Sequence, residues 1–243
     1  MEGINLGKYN IFNKDIESIK INQSKLIINT INAHSYIVAK EDLAFKKALE
    51  ESDVLLPDGE GIVLMTKVLT GKKIKKIAGA DIHLKLLDQA NKENLNCFYL
   101  GSSKETLDLI RTNLSKKYPN IQFGFFSPPF KKVFSKTDSQ NMIHKINDFE
   151  TDILFVGLTA PKQEKWVSEN KNFINAKVIC SIGAVFDFIA ETKKRAPKWI
   201  IDRRFEWLYR SFTEWRLTKR YLYSTPLFLI EVYKLKYFKK NKR

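Results

Sequence analysis

From Lys25 to about Cys180, short apolar runs alternate with longer stretches of mixed polarity. The β-branched and aromatic runs predict strands at Leu26–Ile31, Val54–Leu56, Cys97–Leu100, Ile121–Phe126, Ile153–Val156 and Lys177–Ile182. Between them, apolar positions recur at helical spacing. Ile37, Ala44, Ala48 and Leu49 help to form one stripe and predict a single helix from Tyr36 to Glu51. Gly101-Ser102-Ser103 turns into another helix, ending near Lys117, with Pro119 blocking its continuation. This alternation predicts an α/β fold, a Rossmann-like parallel sheet flanked by helices.

After Gly183 the pattern changes. Pro197 suits a helix start, and a nearly unbroken helix is predicted from about Asp202 to Tyr223. Pro226 is expected to break it, leaving a last amphipathic piece that runs to Phe238. The chain therefore reads as an α/β catalytic body, residues 1–195, and a basic amphipathic helical appendage, residues 196–243.

Charge sharpens that division. The net charge is +15, and residues 192–243 hold 16 Lys and Arg against 4 Asp and Glu, so the remainder is nearly neutral. Three of the four tryptophans, Trp199, Trp207 and Trp215, lie in the same tract. A field of this sign attracts phosphates, whether of nucleic acid, anionic lipid or a nucleotide-sugar. An aromatic content of 12% excludes a disordered chain. No run approaches the roughly 18 apolar residues of a membrane span. The opening Met1-Glu2-Gly3-Ile4-Asn5 reads as lacking an export signal, so Cys97 and Cys180 are expected to be free thiols in a reducing compartment.

Polar residues at strand ends are the candidates for chemistry, because ligands of open α/β sheets bind at the C-terminal edge. Asp58, in Pro57-Asp58-Gly59-Glu60-Gly61, is placed for a general base, or for a turn or cap. Thr30 and Asn32 can bind a sugar hydroxyl or phosphate, or cap the next helix. Gly157-Leu158-Thr159-Ala160-Pro161-Lys162-Gln163-Glu164-Lys165-Trp166 joins a strand to a helix whose free N–H groups, beside Lys162 and Gln163, suit a diphosphate or sugar. Glu164 can equally complement the helix dipole. Gly183 permits close approach of a ligand; Asp187 can contact a ribose or uracil, or pair with Lys193 or Arg195. Arg203, Arg210, Arg216 and Arg220 recur at helical spacing and can fork onto phosphate oxygens or form a solvated face. Gly101 opens a glycine turn without the G-x-G-x-x-G pattern. The three histidines and two cysteines have no metal-ligand spacing and no D-x-D sequence is present, so neither metal nor cofactor is expected. A nucleic-acid-binding protein and a non-catalytic nucleotide-sugar binder are the competing readings.

In order, Thr30-x-Asn32, Pro57-Asp58-Gly59-x-Gly61, Ile77-Ala78-Gly79-Ala80-Asp81, Phe98-Tyr99-Leu100-Gly101-Ser102, Pro161-Lys162-Gln163-Glu164-x-Trp166, Gly183-Ala184-Val185-Phe186-Asp187, Arg195-Ala196-Pro197-x-Trp199 and Glu206-Trp207-Leu208-Tyr209-Arg210 resemble the WecG/TagA/CpsF glycosyltransferases. The resemblance spans roughly residues 25–223. It implies an inverting, metal-independent enzyme that transfers N-acetylmannosamine, its uronic acid or a related sugar. The implied donor is a UDP-sugar. The acceptor is an undecaprenyl-diphosphate-linked sugar, in teichoic acid, capsule or common-antigen synthesis. It also implies Asp58 as base with Thr30 beside it. Asn32, Gly59, Gly101, Gly157, Pro161, Lys162, Gln163, Glu164, Gly183, Asp187 and Arg195 stand at positions expected to bind substrate. Arg210, Arg216 and Arg220 would come from an appendage docked on an anionic membrane at the inner face of the plasma membrane. A homo-oligomer is compatible with the resemblance, and no nucleic acid is implied. The chain departs from the family pattern at Thr159, at Glu191, where glycine is usual, and around Glu214-Trp215-Arg216.

Overall fold

The apolar runs become the central strands of one eight-stranded sheet. The computed structural model describes residues 3–22, 24–194, 196–203 and 205–240; for residues 202, 210, 212, 215, 216 and 238–240 it describes the backbone alone. The strands are β1 (Ile4–Leu6), β2 (Tyr9–Ile11), β3 (Leu26–Ile31), β4 (Val54–Pro57), β5 (Asn96–Gly101), β6 (Gln122–Phe126), β7 (Ile153–Gly157) and β8 (Val178–Ser181). Their spatial order is β1-β2-β4-β3-β8-β7-β5-β6. β1 and β2 form an antiparallel hairpin, and every other pairing is parallel. Helices cover both faces, so strands such as β4 and β8 are buried along their whole length and read as continuous apolar runs.

Strand alternation sorts the core into layers. On one face Ile28, Leu56, Tyr99, Phe155 and Cys180 pack with α4 (Gly79–Glu93), α5 (Lys104–Lys117) and α8 (Val185–Ile189). On the other, Ile27, Leu100, Val156 and Ile179 pack with α6 (Lys136–Asp148) and α7 (Lys162–Asn170). A third cluster joins Ile31 and Leu55 to α1 (Ala33–Glu41), α2 (Leu43–Glu50) and α3 (Glu60–Thr70). β5 thus leads into a helix on one face and its neighbour β7 into a helix on the other. That reversal opens a crevice beyond their C-terminal ends.

The structure departs from the sequence expectations in four places. The hairpin β1–β2 was not foreseen, its strands being only three residues each. The helix predicted over Tyr36–Glu51 is two helices. Asp42, extended at φ −101° and ψ 96°, caps α2 by accepting from the Phe45 N–H at 2.9 Å. The long helix predicted from Asp202 is likewise divided, into α9 (Lys198–Asp202), α10 (Glu206–Thr213) and α11 (Trp215–Lys240). Both junctions lie beside an ion pair to the body, Lys76–Glu206 at 2.6 Å and Lys193–Glu214 at 3.3 Å. Pro226 does not break α11. Beyond it Phe228 and Val232 are buried in the third cluster, and Phe228 meets the Tyr36 ring edge-on at 5.6 Å between centroids. Burial of these side chains offsets the backbone bond that proline removes. Cys97 and Cys180 are buried free thiols, as expected, on strands separated by β7.

Candidate active site

The residues singled out at strand ends collect along the C-terminal edge of the parallel strands. Thr30 is the penultimate residue of β3, level with Leu56 in β4. Asp58 follows β4 directly, half-buried, and its N–H donates to the Ile31 carbonyl at 2.9 Å. Gly59 caps α3 at φ +105°, a conformation that side-chain-bearing residues rarely adopt, and a Cβ there would stand 3.8 Å from the Asn32 Cβ. Asn32 itself caps α1, its Oδ1 accepting from the Ser35 N–H at 2.9 Å. The ends of β3 and β4 therefore form one compact polar corner holding Thr30, Asn32 and Asp58.

Three further strand ends, of β8, β7 and β5, continue the same edge. The Ile77 N–H donates to the Pro57 carbonyl at 3.0 Å, which brings the start of α4 back to β4. A Cβ on Gly79 would meet Val185 at 3.3 Å and the Ile182 carbonyl at 3.6 Å, so α4 begins between the ends of β4 and β8. Gly101 and Gly157 end paired strands so closely that a Cβ on Gly101 would lie 2.5 Å from the Gly157 carbonyl oxygen. Gly183 forms the turn after β8 at φ +46°.

The glycine-to-helix segment after β7 takes two directions. Pro161 caps α7, and the Lys162 ammonium turns outward. It donates to the Lys131 carbonyl and sits 3.5 Å above the Phe134 ring, fastening the loop before α6. Its charge is spent on that loop, and burial lowers its pKa. Gln163 and Glu164 turn inward and are buried. Gln163 Nε2 donates to Glu164 Oε1 at 2.9 Å. Burial raises the Glu164 carboxyl to about 7, against weaker opposition from Gln163 and its own backbone. Asp187 pairs with Lys193 at 2.7 Å, the ion-pair alternative, and that contact raises the lysine's pKa.

Of the C-terminal arginines, Arg195 and the side chains of Arg210 and Arg216 lie outside the described residues. Arg220, on α11, is close enough to α1 for its charge to act on His34. Burial first, and Arg220 second, push the His34 imidazole down to about 4. His34 lies two residues beyond Asn32, so the Arg220 charge acts on the first turn of α1. α11 itself is seated against α3 at Gly61, where a Cβ would meet the Phe228 ring at 3.3 Å.

Sequence reasoning missed three features. His34, which has no metal-ligand spacing in the sequence, sits on α1 within reach of the Arg220 charge on α11. Asn29 and Ser181 are buried polar residues inside central strands. A hollow of about 250 Å³ between α5 and β6 is lined by Lys104, Arg111, Phe125, Phe126 and Ser127, with the Arg111 guanidinium 4.7 Å over the Phe125 ring. The signal available for it was a glycine turn at Gly101 followed by a helix carrying Lys104 and Arg111.

Comparison with known proteins agrees with this architecture. The family described as Glycosyl transferase WecG/TagA/CpsF matches residues 4–242. A relative from Bacillus subtilis (strain 168) is 32% identical over 209 residues, covering 86% of this chain and 79% of its own length. It is named N-acetylglucosaminyldiphosphoundecaprenol N-acetyl-beta-D-mannosaminyltransferase. A protein of the same name from Staphylococcus aureus (strain MRSA252) is 28% identical over 225 residues, 92% of this chain and 86% of its own.

Proposed function

The chain belongs to the WecG/TagA/CpsF glycosyltransferase family, and from that premise we propose that it transfers an N-acetylmannosamine-type sugar from a UDP donor to N-acetylglucosamine on undecaprenyl diphosphate. The names of its relatives support that acceptor and that sugar. The observation that supports the mechanism is the β3–β4 corner, where Asp58 lies at the end of parallel strands, with Arg220 of α11 near enough to His34 on α1 for its charge to act there.

In an inverting transfer the acceptor hydroxyl attacks the anomeric carbon on the face opposite UDP. Asp58 takes the hydroxyl proton, with Thr30 next to it. The bond to the diphosphate breaks, and negative charge grows on the leaving oxygen. Arg220, with Arg210 and Arg216, holds that charge without a metal ion. We assign the nucleoside end to the hollow beside Phe125, where Arg111 lies over the ring while paired with Asp108 at 3.2 Å. The sugar-diphosphate spans the glycine-floored crevice of Gly101, Gly157 and Gly183.

The membrane-linked acceptor gives the C-terminal helices a second task. No helix among the described residues is long and apolar enough to cross a membrane. Leu222, Tyr223, Leu229, Ile230, Tyr233 and Tyr237 are exposed along α11, with Lys219, Lys234 and Lys236 interleaved. An apolar, aromatic and basic surface of this kind suits an anionic lipid interface, each lysine contributing about 1 kcal/mol.

The test is UDP release with a detergent-dispersed lipid-diphosphate N-acetylglucosamine acceptor across a panel of UDP-sugars. Acceptor-dependent release with one donor, lost in Asp58→Asn, is the expected result. Release that survives in a folded Asp58→Asn protein contradicts the assignment.

A further inference from the structure

Six buried side-chain atoms lack a hydrogen-bond partner among the described residues, and four belong to Asn29, Gln163, Glu164 and Ser181. These four residues converge on one layer. The pairing Ile27↔Ile179 puts Asn29 and Ser181 level on adjacent strands two residues later, on the face that α7 covers. Gln163 and Glu164 occupy the first turn of α7. An unpaired buried polar atom costs about 1–3 kcal/mol, so four in an otherwise apolar layer work against stability. Such a group at the ligand-binding edge of the sheet points to a role in the site.

Within the layer Asn29 Nδ2 donates to Ser52 Oγ at 2.9 Å, and one further bond joins the two α7 residues. Glu164 Oε1 accepts from Gln163 Nε2 at 2.9 Å. The Gln163 amide lies alongside the Gly183 turn, its Oε1 3.4 Å and its Nε2 3.6 Å from the position a Cβ would take. The amide thus props the Gly183 turn from beneath, next to the end of β7. We propose that Glu164 is a positioning residue that holds the Gln163 amide under the Gly183 turn and so sets the shape of the crevice that receives the donor sugar-diphosphate. The inference rests on the transferase reading above. Burial favours the neutral carboxyl, which needs no cationic partner to stay in the layer.

Glu164→Gln keeps a neutral oxygen for the Gln163 amide, whereas Glu164→Leu keeps the bulk and removes it. Steady-state kinetics with the UDP-sugar, UDP titration by calorimetry and thermal melting are measured for both and for the unaltered protein; Glu164→Met replaces a leucine variant that does not fold. The expected result is a donor KM raised about tenfold in Glu164→Leu, with kcat within about threefold, and near-normal values in Glu164→Gln. A folded Glu164→Leu with unchanged donor KM overturns the inference, as does a Glu164→Gln protein impaired to the same degree. An unaltered protein that neither binds UDP nor turns over any UDP-sugar overturns the transferase reading and this inference with it; intact binding with an indifferent Glu164→Leu overturns only the inference.

Discussion

The α/β body and the three C-terminal helices are built on opposite plans. The body buries largely apolar strands, with Asn29 and Ser181 as buried polar exceptions, and gathers its other polar groups at their C-terminal ends. The C-terminal helices are basic and leave Trp199, Trp207, Leu222, Ile230 and Tyr233 exposed. Yet Glu206, Glu214 and Glu231 reach back to body lysines, Lys76, Lys193 and Lys40 respectively. Phe228 and Val232 are driven into the body's own core. Under the proposed function this contrast is a division of labour: the body would present the base and the crevice, and the helices the cationic charge that a leaving diphosphate requires.

The strongest way to break that comparison is at the base. Asp58→Asn should keep UDP affinity and melting temperature while lowering transfer by about two to four orders of magnitude, read as UDP release. At the junction of the two regions, Phe228→Ala should cost about 3–5 kcal/mol by denaturant unfolding, because a fully buried ring is lost. It should also reduce transfer more than UDP binding, since α11 loses its seat on α1 and α3.

A pH experiment sharpens the comparison from the body side. The folded Glu164 carboxyl, at about 7, lies above its ordinary value of 4.5, so the native state keeps the proton longer than the unfolded chain. The stability it contributes is full below about pH 4.5 and is lost as pH rises through 7. The loss amounts to about 3 kcal/mol. Unfolding from pH 4.5 to 8 should show Glu164→Gln losing that much less than the unaltered protein. The smallest effect concerns Glu191, which holds a left-handed φ of +56°, a conformation that glycine adopts without strain. Glu191→Gly should raise stability by at most about 1 kcal/mol in the same unfolding assay, leaving transfer unchanged.

The central strands were legible to within a residue or two, because a parallel sheet covered on both faces demands unbroken apolar runs. The polar strand ends were legible for the same reason: Thr30, Asn32 and Asp58 interrupt those runs where the sheet opens. What was not legible depended on partners distant in sequence. Nothing local to Pro226 reveals that Phe228 will anchor the helix beyond it. Asn29 and Ser181 look like ordinary strand interruptions until β3 and β8 are paired. Lys162, in a motif that suggests phosphate binding, is committed to the Lys131 carbonyl by a loop whose course no local pattern predicts. The helix break at Asp42 rests on a single cap, and capping residues are common enough that Asp42 alone did not signal it.

Arg220 is where the two regions meet, so its contribution to rate tests the account most directly. The measurement is kcat for acceptor-dependent UDP release by Arg220→Ala, with UDP affinity and α-helical circular dichroism measured on the same sample. A fall in kcat of about one to three orders of magnitude with the fold intact is expected, because charge on the departing diphosphate is no longer held. An unchanged kcat in the folded variant would contradict the claim that the C-terminal helices complete the active site.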